Sequence, residues 1–298
     1  MESTSTQTVV PALPVTGIWR YQLRATFGAL IKYGLLIFIM LIVLFPIYWM
    51  VNTSFKNRLE LTTYPPTLFP QDFTWFNYQD AFTNNQIPRY VLNSVIVVSI
   101  STFFSLVMGT LAGYSLARFP FTPRFKENIS FWILSTRMVP PIVTIIPVFL
   151  IFKDLHILNS YPGLIIVYTG FTLPFSTWMM RAFIREVPAD LEEAAMVDGD
   201  TRLLALIKIV LPLVAPGLAA TAVFSLILVW NEFLFALILT TTSASITLPV
   251  GIAGFVSQFQ VLWGQMSAVG TVAIIPILIF TLLVQRYLVR GLTLGAVK

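Results

Sequence analysis

Carboxylates are scarce in this chain, with 13 Asp and Glu among 298 residues, yet Asp190, Glu192, Glu193, Asp198 and Asp200 crowd into one stretch between Pro188 and Pro212. The chemistry open to them is limited. Nucleotide chemistry would need a phosphate cradle, but no G-x-x-x-x-G-K-[ST] occurs and neither Lys208 nor Lys298 follows a Gly-rich turn. The chain has no cysteine and one histidine, His156, so thiolate metal sites, Fe-S clusters and disulfides are excluded. Recognition remains: a helix face narrowed by Ala194 and Ala195 and flanked by acids fits a groove in another protein, where a carboxylate can meet Arg or Lys. The plain alternative is a solvated helix-turn-helix with no partner. Two further ionisable residues, Arg137 and Glu232, stand inside apolar runs. Each costs about 2.5 to 3.5 kcal/mol at bilayer depth on insertion scales, so they are expected to face a wet cavity or each other.

The elements that must position these residues follow from composition. Hydrophobic residues make up 57% and charged residues 10%, with mean hydropathy +0.83; soluble domains carry about 25% charged residues, so this is an integral membrane protein. The net charge of +5 lies in short clusters between apolar runs, which speaks for membrane topology and against nucleic acid. Six runs are long enough to cross about 30 Å of hydrocarbon: Tyr33–Phe55, Tyr90–Ala117, Ile129–Phe152, Tyr161–Met180, Leu213–Leu239 and Met266–Val289. The third holds Pro140-Pro141 and should be kinked or unwound. The fold class expected is thus all-α, a polytopic membrane protein with six transmembrane helices and no internal repeat. With the amino end inside, 13 Lys and Arg fall on the inner side and four, Lys56, Arg58, Arg89 and Lys153, on the outer, so both termini are expected to be cytoplasmic. The divisions are a cytoplasmic tail over 1–32, disordered in its first twenty residues and without a signal-peptide pattern, a membrane domain over 33–289 and a cytoplasmic tail over 290–298. Within the domain lie outer loops at 56–89 and 240–265 and a cytoplasmic loop at 181–212; the uncharged 240–265 loop should hug the membrane or dip into a cavity.

The cytoplasmic loop reads as two short helices. Pro188 suits a first turn, Asp190, Glu192 and Glu193 favour a helix amino end, and Gly199 can take the left-handed conformation that stops one. Asp200 is expected to cap the second helix, which Pro212 kinks or ends. In sequence order this is Glu193-Ala194-Ala195, then Gly199, then Ile209 and Leu211-Pro212.

That series resembles the Glu-Ala-Ala signature of permease subunits in binding-protein-dependent ATP-binding-cassette importers. Arg286 to Lys298, RYLVRGLTLGAVK, looks like the carboxyl end of carbohydrate-uptake permeases of the maltose-transporter type, as do Tyr90-Val91-Leu92-Asn93-Ser94, Arg137-Met138-Val139-Pro140-Pro141 and Trp230-Asn231-Glu232-Phe233. Leu294 departs from the Ala more usual there. The resemblance implies a type I importer permease fold in a bacterial inner membrane, with a coupling helix between spans four and five. It implies an ATPase dimer carrying ATP and Mg²⁺, with no cofactor and no hydrolysis in this chain, a second homologous permease, an extracytoplasmic solute-binding protein and surrounding lipid. The coupling set is Glu192, Glu193, Ala194, Ala195, Asp198, Gly199, Ile209, Leu211 and Pro212, with Glu193 as ion-pair partner, Ala194 and Ala195 as packing surface and Gly199 as turn. Asn93, Ser94, Arg137, Asn231 and Glu232 are read as lining the translocation pathway, their amides and hydroxyls suited to sugar hydroxyls; polar residues also glue helices together. Gly109-x-x-x-Gly113 is read as a close-packing face. Phe255, Gln258 and Gln260 fall where relatives contact the binding protein, and the Pro- and aromatic-rich stretch from Tyr64 through Trp75, Phe76 and Tyr78 is a second outer contact. The implied function is uptake of mono- or oligosaccharides or polyols. An ion-gradient-driven secondary transporter or channel is the alternative and would call for inverted repeats and a relay of intramembrane acids.

Overall fold

A computed structural model describes the backbone of residues 15–294 and the side chains of 27–282 and 285. Helix α1 covers Val15–Ser54, so helical structure begins well before Tyr33 and includes part of the expected tail. A connecting segment leads to short α2 (Phe76–Gln79) and then to α3 (Ile87–Arg118). Next come α4 (Pro123–Ser135), α5 (Pro141–Asp154) and α6 (Tyr161–Glu186). The acid-rich loop contributes α7 (Asp190–Val197), α8 (Arg202–Ala205) and, after a π-turn at Leu206–Val210, α9 (Leu211–Leu213). The chain ends with α10 (Ala215–Trp230), α11 (Leu234–Leu239), α12 (Leu248–Ala253) and α13 (Trp263–Leu294). Among the described residues four helices are long and apolar enough to cross a membrane, or six if each of two bent pairs is one span.

Both bends have proline causes. At the first, Val139 and Pro140 are extended (ψ 121° and 131°), because a residue preceding proline is kept out of the helical region, and α5 restarts on Pro141 at an angle of 89° to α4. At the second, Pro212 and Pro216 each lack an N–H, the ladder loosens into the π-turn before them, and the chain bends by 80° about Val214. The expected fifth span is not continuous to Leu239: α10 stops at Trp230 and α11 resumes at Leu234, leaving Glu232 in a break.

Within the unit from Asn52 onward, helices α3 and α6 share the most extensive interface. A Cβ on Gly109 would lie 2.6 Å from Ser176 Cβ, and one on Gly113 2.8 Å from the Arg181 amide nitrogen, so both glycines are required by backbone approach, as small-xxx-small pairs are in membranes. Ser105, Ser176 and Ser225 link α3, α6 and α10 through hydroxyl contacts of 2.9 and 3.4 Å. Two apolar clusters result. One gathers Val97, Leu164, Tyr168, Trp230, Phe235 and Val269; the other, beneath the acid-rich loop, gathers Tyr114, Met180, Ile184, Leu206, Val210 and Val214.

Candidate functional site

The acid-rich loop folds as two short helical arms around one turn. Three acids in the first turn of α7 oppose the positive end of the helix dipole. Its far end closes as a Schellman motif: the Asp200 amide donates to Ala195 O (3.0 Å), the Gly199 amide to Met196 O (3.2 Å), and Gly199 sits at φ 97°. Thr201, not Asp200, caps the second arm, its hydroxyl accepting from the Leu204 amide at 3.3 Å. Asp200 is drawn away to Lys208 Nζ, 2.7 Å distant.

The two faces of α7 differ in kind. Glu192, expected only as part of the contact surface, points inward and is buried. Its carboxylate accepts from Arg118 Nε (2.5 Å) and from the Tyr114 hydroxyl (2.7 Å), and Arg118 Nη2 donates to Val187 O (2.6 Å). Ala195 is likewise buried within the chain, because helical spacing sets it one turn from Glu192, so it does not join Ala194 on the outer surface. Glu193, Ala194, Asp198 and Gly199 are exposed, beside Val197 at 86% exposure, Leu203 and Ile207. Pro212 is exposed and Ile209 and Leu211 are half-buried; the anchors of the second arm are Leu206, Val210 and Val214. Their i, i+4, i+8 spacing is the sequence signal that would have revealed them.

The membrane-embedded polar residues separate into four groups. Arg137 is half-buried at the α4–α5 break, its guanidinium 4.7 Å from the Phe171 ring centroid and 3.4 Å from Phe171 O. Glu232 does not meet Arg137: it accepts from the Tyr168 hydroxyl at 2.7 Å and from the amides of Phe235 (3.0 Å) and Ala236 (3.4 Å), capping α11. Asn231 is exposed in the same break and donates to Ile227 O at 2.8 Å. Asn93 and Ser94 are the exceptions to the pathway reading. Both are fully buried and committed to the 240–248 segment: Asn93 Nδ2 donates to Ser243 O (3.1 Å) and Ile246 O (2.8 Å), its Oδ1 accepts from Tyr161 (2.6 Å), and Ser94 Oγ accepts from the Leu248 amide (2.7 Å). Ser101 and Thr172 bond to carbonyls of their own helices.

The 240–265 segment is more ordered than a loop. Asn159, at φ 56°, holds it with Oδ1 accepting from the amides of Thr241 and Thr242 (3.0 Å each) and from Ser245 Oγ (2.8 Å). Beyond α12 a tight hairpin bridges Val256 and Val261 and exposes Gln258 and, at 96%, Phe259. Phe255 was expected at the contact surface but is buried in the core, because the residue entering the hairpin points away from its tip. Phe259 is the aromatic presented instead. Gln260 Oε1 accepts from Arg58 Nη2 at 3.2 Å.

The 56–78 stretch is also fastened. Asn77 Nδ2 donates to Ser54 O (2.9 Å) and Lys56 O (2.8 Å), and the Phe55, Phe73, Trp75 and Tyr78 rings pack on one another. Glu60 accepts from Thr67 Oγ1 (2.5 Å) and the Gln71 amide (3.0 Å). Burial pushes its carboxyl up, but these hydrogen bonds and the Lys56 charge outweigh that and leave it below its ordinary value. The side chains of Arg286 and Arg290, and residues 1–14 and 295–298, lie outside the described residues.

Residues 105–294 match the family described as the binding-protein-dependent transport system inner membrane component. The sulfoquinovosyl glycerol transport system permease of Agrobacterium fabrum is 38% identical over 86% of this chain and 89% of its own. The trehalose transport system permease of Mycobacterium tuberculosis is 39% identical, covering 86% and 92%, and the trehalose/maltose permease of Thermococcus litoralis 36%, covering 87% and 92%. A chain of a bacterial ABC transporter involved in alginate import has the same fold, with TM-score 0.75 and 24% identity over 93% of this chain and 99% of that one. By its sequence, this multi-pass membrane chain belongs to the family of inner membrane components of binding-protein-dependent transport systems.

Proposed function

We propose that the chain is the permease subunit of an ATP-driven importer for mono- or oligosaccharides or related polyols, sharing a translocation pathway with a second permease. An extracytoplasmic binding protein delivers the solute, and a pair of ATPase subunits, which carry ATP and Mg²⁺, supplies the work. Both termini and the Glu-Ala-Ala loop face the cytoplasm in this reading, in line with the bias of Lys and Arg. The observation that carries it is the division of α7 into a fastened inner face and an open outer face of Glu193, Ala194 and Val197. Small and apolar side chains beside one exposed carboxylate suit a groove with a cation at its edge. Arg137, Asn231 and Glu232, at the breaks of two spans, are the pathway residues proposed here, since irregular backbone at membrane depth is tolerated where it lines a cavity. Phe259 and Gln258 at the hairpin tip are the proposed contact with the binding protein.

The names of the relatives support the sugar assignment. The test is uptake of labelled trehalose and maltose into membrane vesicles energised with ATP, alongside co-purification of an ATPase. Glu193→Lys is expected to cut uptake about tenfold or more, as replacing one partner of a desolvated charge pair does, while the chain still inserts. Normal uptake in that variant, or uptake that persists without ATP, would overturn the reading.

A further inference from the structure

Docking at Glu193 does work only if α7 passes the displacement on, and a short helix between two turns is poorly built for that. Its backbone ends at Gly199 on one side and at an extended Val187 on the other, both points where a loop can give. Something must hold α7 to a long helix. The structure places one ion pair there, Arg118 with Glu192, with side chains only 12% and 5% exposed. Arg118 closes α3, Tyr114 lies one turn before it on the same face, and both converge on the Glu192 carboxylate. Arg118 also grips Val187 O, at the hinge between α6 and α7. A buried carboxylate shared between a guanidinium and a phenol separates only at the cost of leaving a charge buried and unpaired, so this contact does not slide.

We propose that Glu192 is a positioning residue: with Arg118 and Tyr114 it fastens the Glu-Ala-Ala helix to the end of α3, so that movement imposed at Glu193 is carried into that span as rigid-body motion. The inference rests on the docking reading above. It gives the two neighbouring glutamates opposite duties, Glu193 to receive and Glu192 to transmit.

Because the chain has no native cysteine, a pair of spin labels can be placed at Leu111→Cys on α3 and Asp190→Cys on α7, both exposed. Their separation is measured by pulsed dipolar spectroscopy in the chain purified with its ATPase, without nucleotide and after trapping with ATP and vanadate. The native chain is expected to give one narrow distance that does not move on trapping. Glu192→Ala is expected to broaden the distribution and shift it on trapping, and Tyr114→Phe, which removes a single hydrogen bond, to do so more weakly. A native distance that changes on trapping overturns the proposal, as does a Glu192→Ala distribution as narrow as the native one. The same label pair in the chain alone tests the fastening without any ATPase, since Glu192→Ala should broaden it there too. Failure of an ATPase to co-purify with a chain that keeps its narrow distance would therefore count against the docking reading and not against the fastening.

Discussion

The acid-rich loop at 190–213 and the segment at 239–262 each carry polar residues at one end of the spans, yet they use them in opposite ways. In the second, Asn93 and Ser94 from α3 and Asn159 from the turn before α6 reach across and bind its backbone, satisfying the amides of Thr241, Thr242 and Leu248 and the carbonyls of Ser243 and Ile246 within the chain. In the first, the inner acid Glu192 is spent on Arg118 and Tyr114 while Glu193 and its neighbours are left open. In these two regions, polar groups bound internally set backbone geometry, while those left open are available to another molecule. Residue type alone does not separate the two uses, as the adjacent Glu192 and Glu193 make plain.

Substitutions can break this contrast, because residues that fix backbone geometry in either region should answer in stability and the open Glu193 carboxylate in transport. Asn93→Leu should do most harm, destabilising the chain by about 3 kcal/mol, since two backbone carbonyls and the Tyr161 hydroxyl, all shielded in part from solvent, would lose their partner. Thermal unfolding in detergent, followed by loss of the monodisperse peak on gel filtration, reads this out, and a melting point equal to the native one would contradict it. Asn159→Ala should cost about 2 kcal/mol in the same assay by removing three accepted hydrogen bonds and the side chain that tolerates φ 56°. Gly199→Ala should cost about 1.5 kcal/mol from backbone strain at φ 97° alone, because a Cβ there meets nothing within 4 Å. Glu60→Gln should have a smaller effect that depends on pH. The folded carboxyl lies below its ordinary value of 4.5, so the carboxylate adds stability above that pH and loses it as pH falls through the folded value. Native and Glu60→Gln chains should therefore differ in melting point at neutral pH and converge in acid; a constant difference would remove Glu60 from the account.

Much of the architecture was readable in the order of residues. The apolar runs between charged clusters marked the spans, and Pro140-Pro141 marked a real 89° break. The Glu-Ala-Ala series marked a helix, a turn at Gly199 and a second arm, down to the left-handed glycine. Less legible was the fifth span: an apolar run reads as one helix, whereas Glu232 caps a new short helix and divides it in two. Asn93 and Ser94 looked like pathway residues because buried amides and hydroxyls serve equally to bind a solute and to hold a loop 150 residues away.

Hydrophobicity and proline, both local properties, are written along the chain, and they alone determined that this protein spans a membrane repeatedly with broken helices and an acid-bearing loop between two of them. Which glutamate faces inward, which phenylalanine tops the hairpin and which polar groups are already satisfied were decided only by tertiary structure. Those outcomes depend on where Arg118, Tyr114, Tyr161 and Asn159 arrive in space, and a hydrogen bond is specified by both of its ends.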